Sequence, residues 1–331
     1  MKTLRLVVLF MVSLNPTLLI ATPQTINNPH PIGPSSAEAS SITPVMESAI
    51  RFALEDECTE NPEFLPVKDC ILNEHEDAND DTPKLLAICQ IGENHQAVPL
   101  SDAVTALQAR QSRNQQYYVL FMTTGFVTIR LLTGHTNAPS LVNSMITAPA
   151  AAYTYFDNRQ NNRTMTSIAA EPSSYENNLE NLSPLVLYSY AIYEFSEALL
   201  TGKVEYIAHG FAMITGCAAT HHEGKIRLAI YGMVTETSQV FFNAGYLHKT
   251  YYQRKRPSKK FFVPFTLFFF GSRWIIFPWE HYKFIRDTYM VEEEYRKAPF
   301  MNTVITVTGF AGDILNLYWG ILILRSVKKY L

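Results

Sequence analysis

Seven apolar runs of about twenty residues follow one another after Tyr117, separated by short polar stretches. They fall near 117–134, 139–156, 184–201, 204–221, 226–247, 261–278 and 300–325. Each approaches the roughly twenty residues that an α-helix needs to cross about 30 Å of hydrocarbon. The pattern predicts an all-α, multi-pass transmembrane bundle of about seven spans. Polar positions inside the runs repeat at helical spacing: Tyr190, Glu194 and Glu197; Glu205 and His209; Glu236, Gln239 and Asn243; Asp313, Asn316 and Gly320. Arg273 stands alone in FFFGSRWIIFPW. An ionisable group at bilayer depth costs a few kcal/mol and is normally turned inward, where it marks a site, although polar side chains also simply glue membrane helices together. Carboxylates from three helices, one His and one Arg lie more cheaply paired than apart. A shared interior cavity is therefore expected, with Glu205 on the same helix face as His209 and able to act as a nearby carboxylate.

The first hundred residues are of another kind. Lys2 and Arg5 precede VVLFMVSLNPTLLIA, an apolar stretch broken by Asn15 and Pro16. That is the pattern of a secretory signal over residues 1–21, cleaved near Ala21 or kept as a signal anchor. Either way the following segment is directed to the lumen. Residues 22–116 hold a Pro- and Ser-rich part, an amphipathic stretch VMESAIRFALEDE and an acidic run EHEDANDD. So little apolar content predicts a mostly irregular, partly disordered luminal extension, ending in a second weak helix, PLSDAVTALQARQ. Three of the four cysteines lie there: Cys58, Cys70 and Cys89. In an oxidising compartment the simplest disulfide joins Cys58 to Cys70. His75 and His95 fall at no zinc-ligand spacing, and the His221-His222 pair has no third ligand at a fitting distance along the chain, so no metal is expected.

Composition sharpens this division. The chain is 47% hydrophobic and 17% charged, with a formal net charge of −3, which excludes the global basic footprint of a nucleic-acid-binding protein. Basic residues matter by position. Six of the thirteen residues in HKTYYQRKRPSKK, 248–260, are Lys or Arg, the positive-inside mark of a cytosolic loop. With that loop cytosolic, 157–181 is luminal and Asn162-Arg163-Thr164 is a usable glycosylation acceptor. Asn181-Leu182-Ser183 is a poorer match because Pro184 follows it. An odd number of spans leaves the C-terminus in the cytosol, where Lys328 and Lys329 sit four and three residues from the end. That is the spacing of a dilysine signal read by coat proteins for return to the endoplasmic reticulum, an address and not an anchor. The localisation expected is the endoplasmic reticulum membrane.

In order, these elements resemble the TLC domain, the module of ceramide synthases, the translocating-chain-associated membrane protein and several lipid-homeostasis proteins. The resemblance covers 117–331 and rests on YAIYEF with Glu194, EYIAHGFAMI with His209, and MVTETSQVFFNAGYLHK with Glu236, Ser238, Phe241 and Asn243. FFFGSRWIIFPW with Arg273 and LNLYWGILI with Asn316, Tyr318 and Trp319 complete it. Where the family has two adjacent histidines this chain has His209-Gly210, and the acidic stretch that continues the synthase motif is not found after Tyr231. A lone buried His could still take a proton from an amine attacking an acyl thioester. The missing partner points away from acyl transfer and toward the non-synthase branch.

The resemblance implies a protein that binds or handles membrane lipid and contributes to lipid homeostasis, holding a head group through Glu194, His209, Glu236, Asn243, Arg273, Asn316 and Trp319. Membrane lipids are the expected partners and no cofactor is implied. The alternatives are an acyl-CoA-dependent N-acyltransferase, with His209 as the catalytic candidate, and a cargo receptor cycling between endoplasmic reticulum and Golgi. No adenine-nucleotide fingerprint, nucleophile elbow or zinc quartet is present.

Overall fold

The computed structural model describes residues 68–75, 84–91, 94–171, 173–254, 257–291 and 299–327, with side chains from residue 108 onward. The signal segment, Cys58, Lys328 and Lys329 lie outside the described residues. The chain divides into two compact units, one of residues 22–110 and one that includes 111–331.

Within the smaller unit the described residues include a sheet that the sequence pattern does not predict. Three strands, β1 (Lys68–His75), β2 (Lys84–Ile91) and β3 (Asn94–Pro99), form an antiparallel meander in the order β1-β2-β3. Leu86 pairs with Asn73 on one side and Pro99 on the other, and a register shift between Lys68 and Ile71 interrupts the first ladder. The all-α class therefore holds for 100–327 and not for the whole described chain. Short apolar runs such as ILN and LLAICQI are too thin for a large core. They can still satisfy their backbone groups in a sheet, where pairing and not burial supplies the hydrogen bonds.

The larger unit is helical. Its elements are α1 (Leu100–Thr133), α2 (Asn137–Gln160), the short α3 (Met165–Ala170), α4 (Leu179–Thr201) and α5 (Val204–His222). A composite α6 runs over 226–251, followed by α7 over 259–291 and α8 (Pro299–Val327). The weak helix and the first apolar run are one continuous element, α1. Helices thus fall on each of the seven runs, but among the described residues only 259–290 and 299–327 are both long and apolar enough to cross a membrane by composition alone. Elsewhere the charges that form the interior, such as Arg130, Glu194 and Glu197, dilute the hydropathy of the helix that carries them.

Polar groups face inward and apolar ones outward. Asn143, Ser144, Thr147, Ser189, Ser238, Asn243, Arg273, Glu280 and Asn316 are buried. Phe121, Leu132, Tyr153, Phe211, Leu267, Ile275, Val307, Ile314 and Leu317 are exposed. A water-soluble protein rarely exposes so much contiguous apolar surface, and polar side chains between helices are how membrane bundles cohere.

The two ends of the bundle differ. At one end Arg163 bonds Glu171, Glu180 and Asn158, and Arg227 reaches Glu171 at 2.8 Å. Tyr175 donates to the His222 carbonyl and Gln115 to that of Tyr175. Burial draws Arg163 down, but its hydrogen bonds to Glu171 and Glu180 more than offset this and hold its pKa above the ordinary value. Asn162 projects from this end, exposed, at φ 55° in the turn after α2. Asn181 is buried and donates to the Glu176 carbonyl. The opposite end gathers the turns before α2 and α5, the start of α7, the end of α8 and the basic stretch after α6.

Candidate functional site

A cavity of about 610 Å³ opens at that basic end, its mouth rimmed by Thr136, Thr201, Lys203, Pro257 and Ser326. Its walls differ in character. Asn137 and Ser140 of α2, Tyr190, Glu194 and Glu197 of α4, His209 of α5 and Glu236, Gln239 and Asn243 of α6 make a polar wall. Phe261, Phe262, Phe265 and Phe269 of α7 with Trp319, Leu322 and Ile323 of α8 make an apolar one.

His209 Nδ1 lies 2.8 Å from Glu194 Oε2, and Tyr190 donates to the other carboxylate oxygen at 3.1 Å. The partner of His209 is thus Glu194 of the neighbouring helix and not Glu205, which is exposed near the mouth. Helical spacing brings Glu205 to the same face as His209 but one turn nearer the end, where α5 has already reached solvent. Trp319 meets the imidazole edge-on, ring centres 5.3 Å apart.

The second cluster surrounds Glu236. Asn143 donates to its Oε2 at 3.1 Å, and Arg273 Nη2 lies 3.5 Å from its Oε1, both ionic side chains being almost wholly buried. Arg273 also donates to Ser238 and, at 3.0 Å, to Asn316 Oδ1. Its guanidinium lies over the rings of Phe269 and Trp319, a placement worth up to about 2 kcal/mol when desolvated. Asn243 donates to Ser140 and accepts from Asn137.

Local backbone departures put these groups in place. Glu236 ends a 3₁₀ segment, Val234–Glu236, inside α6, and Arg273 lies in a π-helical segment, Phe270–Ile276, inside α7. Such irregular turns are common at functional sites because they re-aim a side chain that a regular helix would direct elsewhere.

All seven residues expected to hold a ligand come together. Glu194, His209, Glu236, Asn243 and Trp319 line the cavity. Arg273 and Asn316 line a smaller one of about 160 Å³ between α5 and α8, which His209 and Glu236 also border.

A sequence profile of the TLC domain family, TRAM_LAG1_CLN8, matches residues 135–325, more than half of the chain. The chain belongs to the TLC domain family. Neither curated proteins nor solved structures gave a significant match. TLC domain proteins are membrane proteins, and the matched region begins just before α2 and contains every residue of both clusters.

The departure from the TLC pattern at His209-Gly210 has a structural counterpart. A Cβ built at Gly210 would meet Phe195 Cβ at 2.9 Å and its Cα at 3.0 Å. Helices α4 and α5 touch there through bare backbone, and the place of a second histidine is taken by that contact.

Sequence reading missed several groups. Asn143 and Ser140 are signalled by polar residues three and four apart in NAPSLVNSMIT, within a run that otherwise reads as apolar. Arg130 was passed over although it pairs with Glu197 at 2.9 Å; Tyr193 bonds the same carboxylate. His281 Nδ1 lies 2.9 Å from Asp313 Oδ2, and Glu280 collects Tyr155, Arg159 and Lys283. These follow the sixth apolar run, beyond the boundary at 278. Among the described residues no group of three His, Cys, Asp or Glu side chains could hold a metal ion.

Proposed function

We propose that this TLC domain protein resides in the endoplasmic reticulum membrane with its basic end in the cytosol, and that it binds a membrane lipid in the larger cavity as part of lipid homeostasis. Seven crossings, a luminal amino-terminal extension and retrieval through Lys328 and Lys329 by coat proteins belong to the same reading. The observation that carries it is the two-walled cavity. Glu194 lies seven residues in from the end of α4 and His209 five in from the start of α5, about 8–10 Å below the mouth at 1.5 Å per residue. A head group rich in hydroxyl or amide groups reaches that depth along the polar wall while a chain lies on the phenylalanines opposite. Ligand sites of this kind are mostly apolar with a few convergent polar groups.

A second reading is an acyl-CoA-dependent N-acyltransferase, favoured by one observation. His209 is held through Nδ1 by Glu194, and no hydrogen bond occupies Nε2 among the described residues. That is the arrangement of an oriented general base, which would take the proton from an amine attacking an acyl thioester.

Photoreactive lipid analogues incorporated into membranes holding the full chain test both readings. Cross-linking to residues of the larger cavity, reduced in Glu194→Gln and His209→Ala variants, is the expected result, with unchanged amounts of acylated long-chain base. Absence of cavity cross-links overturns lipid binding. Acylation lost on His209→Ala replaces the first reading with the second.

A further inference from the structure

The mouth of the cavity carries cations that the interior does not. Lys203 lies over the ring of Tyr206, Lys249 over Tyr246 and Lys260 over Phe261, each nitrogen between 5.0 and 5.5 Å from the ring centre. Tyr206, Tyr246 and Phe261 all line the cavity, as Lys203 itself does. Arg254 rests on Tyr252 in the same way beside them. None of these four cations makes an ion pair among the described residues, and Glu205 is the carboxylate on their rim. Two cations deeper in the site are spent inside the bundle, Arg130 on Glu197 and Arg273 on Glu236, whereas Lys259 beside Lys260 is exposed and adds to the rim.

Elsewhere this chain pairs its arginines closely. Arg163 takes two carboxylates, and Arg227 shares one of them. Lysines at the mouth are handled otherwise. Their stems are steadied by aromatic faces while their charge is left uncompensated, and an aromatic ring attracts a cation without neutralising it. Three helix ends, those of α5, α6 and α7, supply these residues, so the charge encircles the opening and is not a single run along one strand of chain.

We propose that this collar selects a phospholipid with a net anionic head group, drawn from the leaflet at the basic end. Its phosphate is held at the mouth between Lys203, Lys249 and Lys260, the polar remainder of the head group extends down the polar wall toward Glu194 and His209, and a chain lies along Phe261, Phe262 and Phe265. The proposal rests on the lipid-binding reading above and deepens it by naming the class of head group. Charge complementarity supports a leaflet source: a cluster of cations where helices leave the membrane attracts anionic lipid. An acyl-coenzyme A offers phosphate too, but from solution, so the two sources are separable.

The test uses full-length protein purified from membranes of mixed phosphatidylcholine and phosphatidylserine, with retained lipids counted by mass spectrometry. The retained ratio of phosphatidylserine to phosphatidylcholine exceeds the bulk ratio by on the order of tenfold, and the excess falls toward bulk composition in K203Q/K249Q/K260Q and in raised salt. The charge-keeping variant K203R/K249R/K260R restores it, which separates charge from folding. Retention of lipid at bulk composition overturns the collar but leaves lipid binding standing. No retained lipid at all overturns both. Palmitoyl-coenzyme A bound in a manner lost in the Gln variant, with no phosphatidylserine preference, moves the ligand to solution and also overturns the proposal.

Discussion

Glu236 and Arg273 face each other at 3.5 Å in the middle of the helical unit, each with only a few per cent of its side chain exposed. Among the described residues Arg273 Nη2 has no hydrogen-bond acceptor, so the pair is ionic contact and not a bidentate fork. Removing one member leaves a buried charge without its partner, at a cost of about 3–5 kcal/mol. Arg273→Leu or Glu236→Leu alone should lower the melting temperature in detergent sharply. The double variant should melt closer to wild type than either single one.

Gly210 gives a prediction about chemistry as well as stability. Gly210→Ala forces Cβ against the Phe195 backbone and should cost about 1–3 kcal/mol as overpacking. Gly210→His, which restores the histidine pair found elsewhere in the family, should be recovered in low yield and show no acylation of long-chain bases. A well-folded, active Gly210→His protein would mean that α4 and α5 can separate there.

At the Arg163 end, Asn162→Gln should abolish a glycosidase-sensitive mobility shift on gels. It should also cost several tenths of a kcal/mol, since Asn tolerates the positive φ that Gln does not. Thr164→Ala is the less clean variant. The Thr164 hydroxyl caps α3 by accepting from the Ser167 amide, and losing the cap costs about 1 kcal/mol by itself.

Lys225, in the turn between α5 and α6, is buried, and that burial, with Arg227 nearby, brings its pKa down to about 8. The unfolded chain binds the proton more tightly, so between about pH 8 and the ordinary lysine value the unfolded state holds more protons than the folded one. Stability attributable to Lys225 therefore rises with pH across that window. A thermal scan should show Lys225→Met more stable than wild type near pH 7 by about 1–3 kcal/mol, with the gap closing above pH 10.

Helix positions and the convergence of polar groups were legible because both depend on periodicity along one chain. Glu194, His209, Glu236, Asn243, Arg273, Asn316 and Trp319 stood out as polar or amphipathic residues in apolar surroundings. Which of them pair was not legible. Glu205 shares a face with His209 yet Glu194 holds it, because the choice depends on how far α5 protrudes past α4. Arg130 stands near the end of the 117–134 run, where spacing gives it no partner, and His281 lies beyond the end of the 261–278 run. The β-meander was missed because its strands are short and mixed, although the Gly92-Glu93 dipeptide between β2 and β3 is a hairpin signal. The 3₁₀ and π segments that aim Glu236 and Arg273 leave no mark in hydrophobic spacing.

Helix α8 takes the Trp274 indole against Gly320, the Phe277 ring against Gly312 and the His281 imidazole against Gly309. Three rings seated in three notches fix the rotation and the axial position of α7 on α8 together. These two helices, the long apolar ones among the described residues, must therefore travel as one piece. Any widening that admits a bulky guest has to come from α2, α4, α5 or α6 swinging away from that fixed blade.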